Sequence, residues 1–364
     1  MTTIQPATQA EETGGAALSR RQFVQSVAAS GIAAGATLAL AACTPVTVGM
    51  PAPAATPSAA SAPERARVAL VRTLDRVEGL RRLLALAGTP EVAGKHVVVK
   101  PNFNSGDPAP GSTHPDLLRG MVLALQAAGA QRITVADRSG MGNTRQIMAQ
   151  LGIDAMSKEM GFDLVALDEL GADGWRLIEF AGSHWSRGFP VPKLISEADA
   201  VVQLCCLKTH RFGGHFTLSL KNSIGLVAKH IPGDSYNYMN ELHGSEEQRT
   251  LIAEANTAYA PALIVMDGVE AFVSGGPERG ERVDAHVMLA GSDRVALDAV
   301  GVALLRHFGT TPQVTAGPVF AQQQIVRAVE LGLGIASAEQ IDFVSDGAAE
   351  DGLIAALQAI LAAT

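Results

Sequence analysis

Between Leu204 and Leu226 the chain reads LCCLKTHRFGGHFTLSLKNSIGL. Lys208, His210, His215 and Lys221 share this span, with Thr209, Arg211, Asn222 and the pair Gly213-Gly214 among them. Two ammonium groups and an imidazole gathered in one place favour a carboxylate or a phosphate. Close cations depress each other's pKa, so a lysine tuned in this way can act as a base or attack a carbonyl. His210 can shuttle a proton. His210 and His215, joined by Glu270, form a candidate divalent-metal set, although no strict ligand motif is present.

Other groups of the same kind stand where apolar runs end. Val99-Lys100-Pro101-Asn102 closes one run, and Pro101 keeps Lys100 extended. Asp137 opens a glycine-rich turn, Asp137 to Thr144, which can offer backbone N–H groups to an anion. The turn lacks the GxGxxG spacing of a dinucleotide site. Asp267 and Glu270 follow a further run and suit metal ligation or acid–base work. The expected catalytic residues are therefore Lys208, His210, Lys221 and Asp267. The expected substrate-binding residues are Lys100, Asn102, Asp137 and Asn222. Asp298 falls inside a helical pattern and needs a partner, for which a lysine or a metal would serve. His114 is read as structural, at a helix start with Thr113 and Pro115.

The elements that must position these residues alternate in type. Strands are expected at Arg67–Arg72, His96–Lys100, Arg132–Ala136, Leu164–Leu167, Ala200–Leu204, Ala262–Met266, Val287–Ala290 and Ile341–Val344. Helices are expected at Arg76–Ala87, Pro115–Ala128, Thr144–Leu151, Glu246–Tyr259, Arg294–Phe308, Val319–Leu331 and Leu353–Leu361. This order predicts an α/β fold: a mostly parallel sheet with helices on both faces. A division near residue 195 into two lobes is compatible with the pattern. In such sheets ligands sit at the carboxyl ends of the strands. The segment Gly233 to Tyr238, flanked by His230 and His243, is expected to lie over that mouth.

Composition narrows the partners. The net charge of −8 argues against general nucleic-acid binding, which needs a broad basic surface. It leaves room for a local basic pocket and a small anionic ligand. Three cysteines occur: Cys43, Cys205 and Cys206. The adjacent pair would point to opposite faces of a strand, so no disulfide is expected between them. No CxxC pair exists, so no iron–sulfur cluster motif is encoded in this chain.

The first 43 residues read as a leader. Arg20 and Arg21 precede an Ala/Gly-rich apolar run ending Leu40-Ala41-Ala42-Cys43, the pattern of a twin-arginine export signal closed by a lipobox. Residues 44–65 are Pro/Ala-rich and read as a disordered tether. The folded α/β domain is expected over 66–364. The expected partners are the twin-arginine export machinery and, through acylated Cys43, the outer face of a cell-envelope membrane. A soluble periplasmic or secreted form is the alternative.

These patterns together resemble the family labelled domain of unknown function 362. The matching pieces are Lys100-Pro101-Asn102, Thr113-x-Pro115, Asp137 to Gly142, and Leu207-Lys208-Thr209-His210. They continue with Lys221-Asn222 then Gly225, Asp267-Gly268, Gly276-Pro277 then Gly280, and Ser292-Asp293 through Asp298-Ala299. The resemblance covers roughly residues 66–345. It implies an α/β domain, often exported by the twin-arginine route and often joined to a ferredoxin-like segment that is missing here. It supplies no reaction. Two functions are compatible with the residues: an enzyme on a small anionic substrate, with or without a metal, or a tethered protein that binds an anion or metal without turnover.

Overall fold

The computed structural model describes residues 65–363. The proposed export signal, Arg20, Arg21, Cys43 and all of the proposed tether except Arg65 lie outside the described residues. In chain order the elements are β1 (Ala66–Arg72), α1 (Arg76–Ala87), β2 (His96–Lys100), α2 (Pro115–Ala127), β3 (Arg132–Asp137), α3 (Thr144–Gln150), α4 (Ile153–Met160) and β4 (Asp163–Ala166). A hairpin of β5 (Trp175–Ile178) and β6 (Phe189–Pro192) follows, then α5 (Lys193–Glu197), β7 (Ala200–His210), β8 (His215–Thr217) and α6 (Ser219–Asn222). The chain continues through α7 (Tyr238–Gly244), α8 (Gln248–Glu254), β9 (Leu263–Gly275), β10 (Gly280–Val283), β11 (Val287–Gly291) and α9 (Arg294–His307). It closes with α10 (Pro312–Thr315), α11 (Gln323–Glu330), β12 (Ile341–Val344) and α12 (Asp351–Ala362).

One sheet runs through the fold in the order β12-β1-β11-β9-β7-β2-β3-β4, with β8 added to β7 and β10 to β9. Along that path only β11 is reversed; it pairs antiparallel with both β1 and β9. The remaining neighbours are parallel. The fold is thus α/β with a mostly parallel sheet.

Side-chain alternation along β7 shows why both faces are buried. Val202 and Leu204 join Leu80, Leu117 and Met121 of α1 and α2 on one face. Cys205 and Leu207 join Leu297, Val300 and Leu304 of α9 on the other. A strand covered on both faces reads as a continuous apolar run, which is how Ala200 to Leu207 appears in the sequence. No second lobe begins near residue 195: β7, which starts there, pairs with β2 on one side and β9 on the other. Residues 65–363 fall within one compact unit.

Two strands outrun their expected ends. β7 continues through Lys208, Thr209 and His210, because β8 and β9 supply ladder partners to this polar tip. β9 runs on to Gly275, where β10 pairs with it. Two expected helices are broken. Glu246–Tyr259 is α8 followed by a 3-10 turn, Ala255–Ala258. Val319–Leu331 begins as a 3-10 turn, then Gln322 adopts extended backbone and sends its amide to Ala316 O (3.0 Å) before α11 starts.

Candidate functional site

A cavity of about 1030 Å3 opens at the carboxyl ends of β2, β3 and β7. Lys100 and Asn102 from the β2 exit, Asp137 and Arg138 from the β3 exit, and Lys208 and His210 from the β7 tip line it. Lys221 and Asn222 of α6 complete its floor. Of the residues proposed as catalytic or substrate-binding, the fold brings all but Asp267 to this one wall.

A buried ion pair anchors the floor. Lys100 Nζ stands 2.8 Å from Asp137 Oδ1, and the side chains are 1% and 2% exposed. Lys100 also donates to Pro101 O at 2.6 Å. Asp137 accepts from the amides of Phe103 (2.6 Å) and Arg138 (2.7 Å), so the carboxylate is hydrogen-bonded on both oxygens. Burial pushes the Lys100 amine down and the Asp137 carboxyl up, and each is opposed by the other's charge. Gly225 permits this geometry: a Cβ there would collide with Asp137 Oδ1 and lie 2.7 Å from Lys100 Nζ.

An amide relay links this pair to the β7 tip. Asn102 Nδ2 donates to Asn222 Oδ1 (3.1 Å), and Lys208 Nζ donates to Asn102 Oδ1 (3.1 Å) and Gly111 O (2.5 Å). Lys208 is wholly buried, and its charge is met by these neutral oxygens rather than by a carboxylate. Burial lowers its pKa.

Lys221 stands apart from Lys100 and Lys208. It is 8% exposed, lines the cavity, and has no hydrogen-bond or ion-pair partner among the described residues. Burial, then the charges of Arg138 and Lys208, bring its pKa down to about 7. A large fraction of the amine is therefore unprotonated at neutral pH. His210 is held well below its ordinary value by burial and by Lys221 and Lys208, so its imidazole is neutral. The Gly213-Gly214 turn between β7 and β8 lets these groups meet. A Cβ on Gly214 would stand 2.5 Å from Lys221 Cε and 3.2 Å from His210 Nδ1.

The short α6 that carries Lys221 and Asn222 is set by Asp298. This α9 carboxylate is fully buried and accepts from the amides of Ser219 (2.7 Å) and Leu220 (3.2 Å). Gln324 Nε2 adds a longer contact at 3.5 Å, so its partners among the described residues are two backbone N–H groups and a side-chain amide, not a lysine. Burial raises its pKa to about 7.

Several expected residues lie elsewhere. Asp267 is not on the cavity wall; Arg76 Nε holds its Oδ2 at 2.7 Å and the Val269 amide its Oδ1 at 3.0 Å. Glu270 is held by Arg76 (3.1 Å) and Arg282 (2.7 Å). The metal set is therefore not assembled. His210 and His215 face each other across the β7–β8 hairpin, but Glu270 is engaged by arginines. Among the described residues no three His, Cys, Asp or Glu side chains converge as a metal site. His114 caps α2, with Nδ1 accepting from the Asp116 amide at 3.2 Å. Cys205 and Cys206 are buried, and burial raises both thiols, that of Cys206 to about 11.

The sequence reading missed Arg138 and the distal wall. Arg138 is buried and donates to Val227 O (2.7 Å), Ile224 O (2.7 Å) and Ser139 O (3.0 Å), tying the β3 exit to the loop after α6. Thr217 and Gln248 line the cavity with buried atoms that have no hydrogen-bond partner among the described residues, as does His210 Nδ1. Lys229, Met239 and His243 close the far side. The Asp137-Arg138 dipeptide at a strand end was the available signal for Arg138. Thr217 and Gln248 carried none, because their roles arise from a hairpin and a helix meeting.

Comparison with known proteins places these features in a family. The pattern of the family described as "Domain of unknown function (DUF362)" matches residues 97–303, which contain every cavity residue named above. A curated relative, the thylakoid-associated protein sll1697 of Synechocystis sp., is 26% identical over 224 residues, 58% of this chain. The match spans 64% of that relative's length. Among solved structures, the lactate racemase apoprotein from Thermoanaerobacterium thermosaccharolyticum aligns with a TM-score of 0.38 and 20% identity, over 64% of this chain and 55% of that one.

Proposed function

The chain belongs to the DUF362 family, and on that premise we propose that its α/β domain is an enzyme acting on a small anionic substrate, with the Lys221 amine as proton acceptor. One observation carries this reading: Lys221 is a buried amine with a pKa of about 7 and no partner among the described residues, facing a cavity of cations. An unpaired buried ammonium is costly, and structural lysines are ordinarily paired or turned to water. A base poised near the working pH is what proton transfer from a substrate requires.

The other groups take roles that follow from their charge. Lys208 and Arg138 attract the substrate's negative charge, since among the described residues no carboxylate pairs with either. Lys100 is largely neutralised by Asp137 and positions Asn222 and the β3 exit. Neutral His210 supplies a second proton-transfer group on the same floor.

The test uses the full chain in deuterated buffer with a panel of small carboxylates, 2-oxo acids and phosphate esters. Exchange of a substrate C–H proton should appear by NMR, rise with pH through about 7, and vanish in Lys221→Met. If no compound exchanges, and borohydride traps no carbonyl adduct on Lys221, the enzyme reading falls. If Lys221→Met alters anion affinity alone, the tethered binding protein replaces it.

We also propose that the chain is exported by the twin-arginine machinery and anchored to the membrane by acylated Cys43. Arg20-Arg21, the apolar run and Leu40-Ala41-Ala42-Cys43 support this. Mass spectrometry of the mature amino terminus should find a lipid-modified Cys43. An unprocessed Met1 in membrane-free fractions would overturn it.

A further inference from the structure

The rim of the cavity is mostly polar, with Asn240, His243 and Glu246 exposed there, yet two large apolar side chains are exposed among them. Charged groups sit deep: Lys100, Lys208 and Arg138 are at most 3% exposed. Large apolar side chains sit at the mouth: Met141 is 45% exposed and Phe212 46%. Solvation favours the reverse, with lysines in water and phenyl rings inside. Among the described residues seven large apolar side chains are exposed, and Phe212 is the only aromatic one. Its ring is held in place, with the Arg211 guanidinium 4.2 Å from its centroid and the His210 ring 5.8 Å away. Arg211 is itself fixed by Glu278 and by Gly276 O (2.7 Å). The phenyl face is therefore presented at the mouth by a built arrangement rather than by a free surface side chain.

The volume agrees. A cavity of about 1030 Å3 lies just above the roughly 300–1,000 Å3 typical of sites for drug-sized ligands. That is far more than a bare phosphate or acetate needs.

Resting on the reading of Lys221 as the reactive group, we infer that the substrate is an amphipathic anion: a carboxylate or phosphate head carried on an apolar or aromatic body. The head enters first and meets Lys208, Arg138 and Lys221. The body lies against Met141 and Phe212 at the mouth.

Calorimetric titration of the full chain with matched pairs tests this: acetate against benzoate, and inorganic phosphate against phenyl phosphate. The ring should tighten binding about ten-fold or more through apolar burial. In Phe212→Ser combined with Met141→Ser, the ratio within each pair should fall to about one, with the melting temperature as the control for folding. The carboxylate and phosphate arms together tell which head the floor prefers. Equal affinity within both pairs for the wild type overturns the inference while leaving the anion site intact. Substrate C–H exchange that persists unchanged in Lys221→Met shows instead that the reading of Lys221 is wrong, and no binding of any probe to the wild type overturns both.

Discussion

At the scale of single residues, the cavity floor contains two kinds of lysine. Lys100 is matched to Asp137 at 2.8 Å, and breaking a buried pair leaves an uncompensated charge. Asp137→Leu should therefore destabilise the domain by about 3–5 kcal/mol in urea unfolding, and Lys100→Met added to it should recover much of that loss. Lys221 has no such match. Its native pKa, about 7, lies below the unfolded value of about 10.4, so between those pH values the unfolded chain holds more protons. Its contribution makes stability rise with pH across that window, against a setting of Arg138, Lys208, His210 and His243. Lys221→Met should accordingly raise the melting temperature at neutral pH and flatten the rise toward pH 10. A variant more stable yet inactive is the signature of a residue held for function. If Lys221→Met melts earlier instead, the lysine is structural.

At the scale of elements, the site depends on α6, which is too short to hold itself together. Asp298 of α9 secures it by accepting the amides of Ser219 and Leu220. Asp298→Ala removes both bonds from a buried helix start. It should cost about 1–3 kcal/mol and weaken anion binding at Lys221 and Asn222 without touching the ligand. The pH dependence of stability should report the same link. The native pKa near 7 lies above the unfolded value of about 3.9, so between these the native state binds the extra proton and stability falls as pH rises. A stability profile that loses this slope in Asp298→Ala would confirm the assignment, and an unchanged profile would refute it. Close approach is the second device at this scale. Gly225→Ala places a methyl group against both Asp137 and Lys100, so the ion pair must separate or the loop must move. A loss of about 1–3 kcal/mol is expected in denaturant unfolding, together with weaker anion binding.

At the scale of the whole molecule, one sheet supports the entire site. β7 is central, with β2 on one side and β9 on the other, and it delivers Lys208 and His210 directly to the cavity. Expressing residues 65–195 and 196–364 separately should yield two chains that fail to fold alone, because each would carry a broken sheet with unpaired edges. Cooperative melting of either piece would restore the two-lobe organisation that the pattern near residue 195 allowed. No helix among the described residues is long and apolar enough to cross a membrane.

The alternation of strands and helices, and the residues at strand ends, could be read directly from the sequence. Buried parallel strands write themselves as Val-rich runs, such as His96 to Lys100, because both faces are covered. Lys100, Asn102, Asp137, Lys208, His210, Lys221 and Asn222 were legible as polar groups clustered after such runs. The tertiary structure alone decided which carboxylates reach them. Asp137 meets Lys100, whereas Asp267, an equally placed strand carboxylate in the sequence, is captured by Arg76 from α1. It also decided that β7 carries its polar tip as strand, and that Lys221 is left without a partner among the described residues while Asp298 caps its helix. Such outcomes depend on which long-range segments meet and how deeply they bury a charge. Periodicity along the chain records neither.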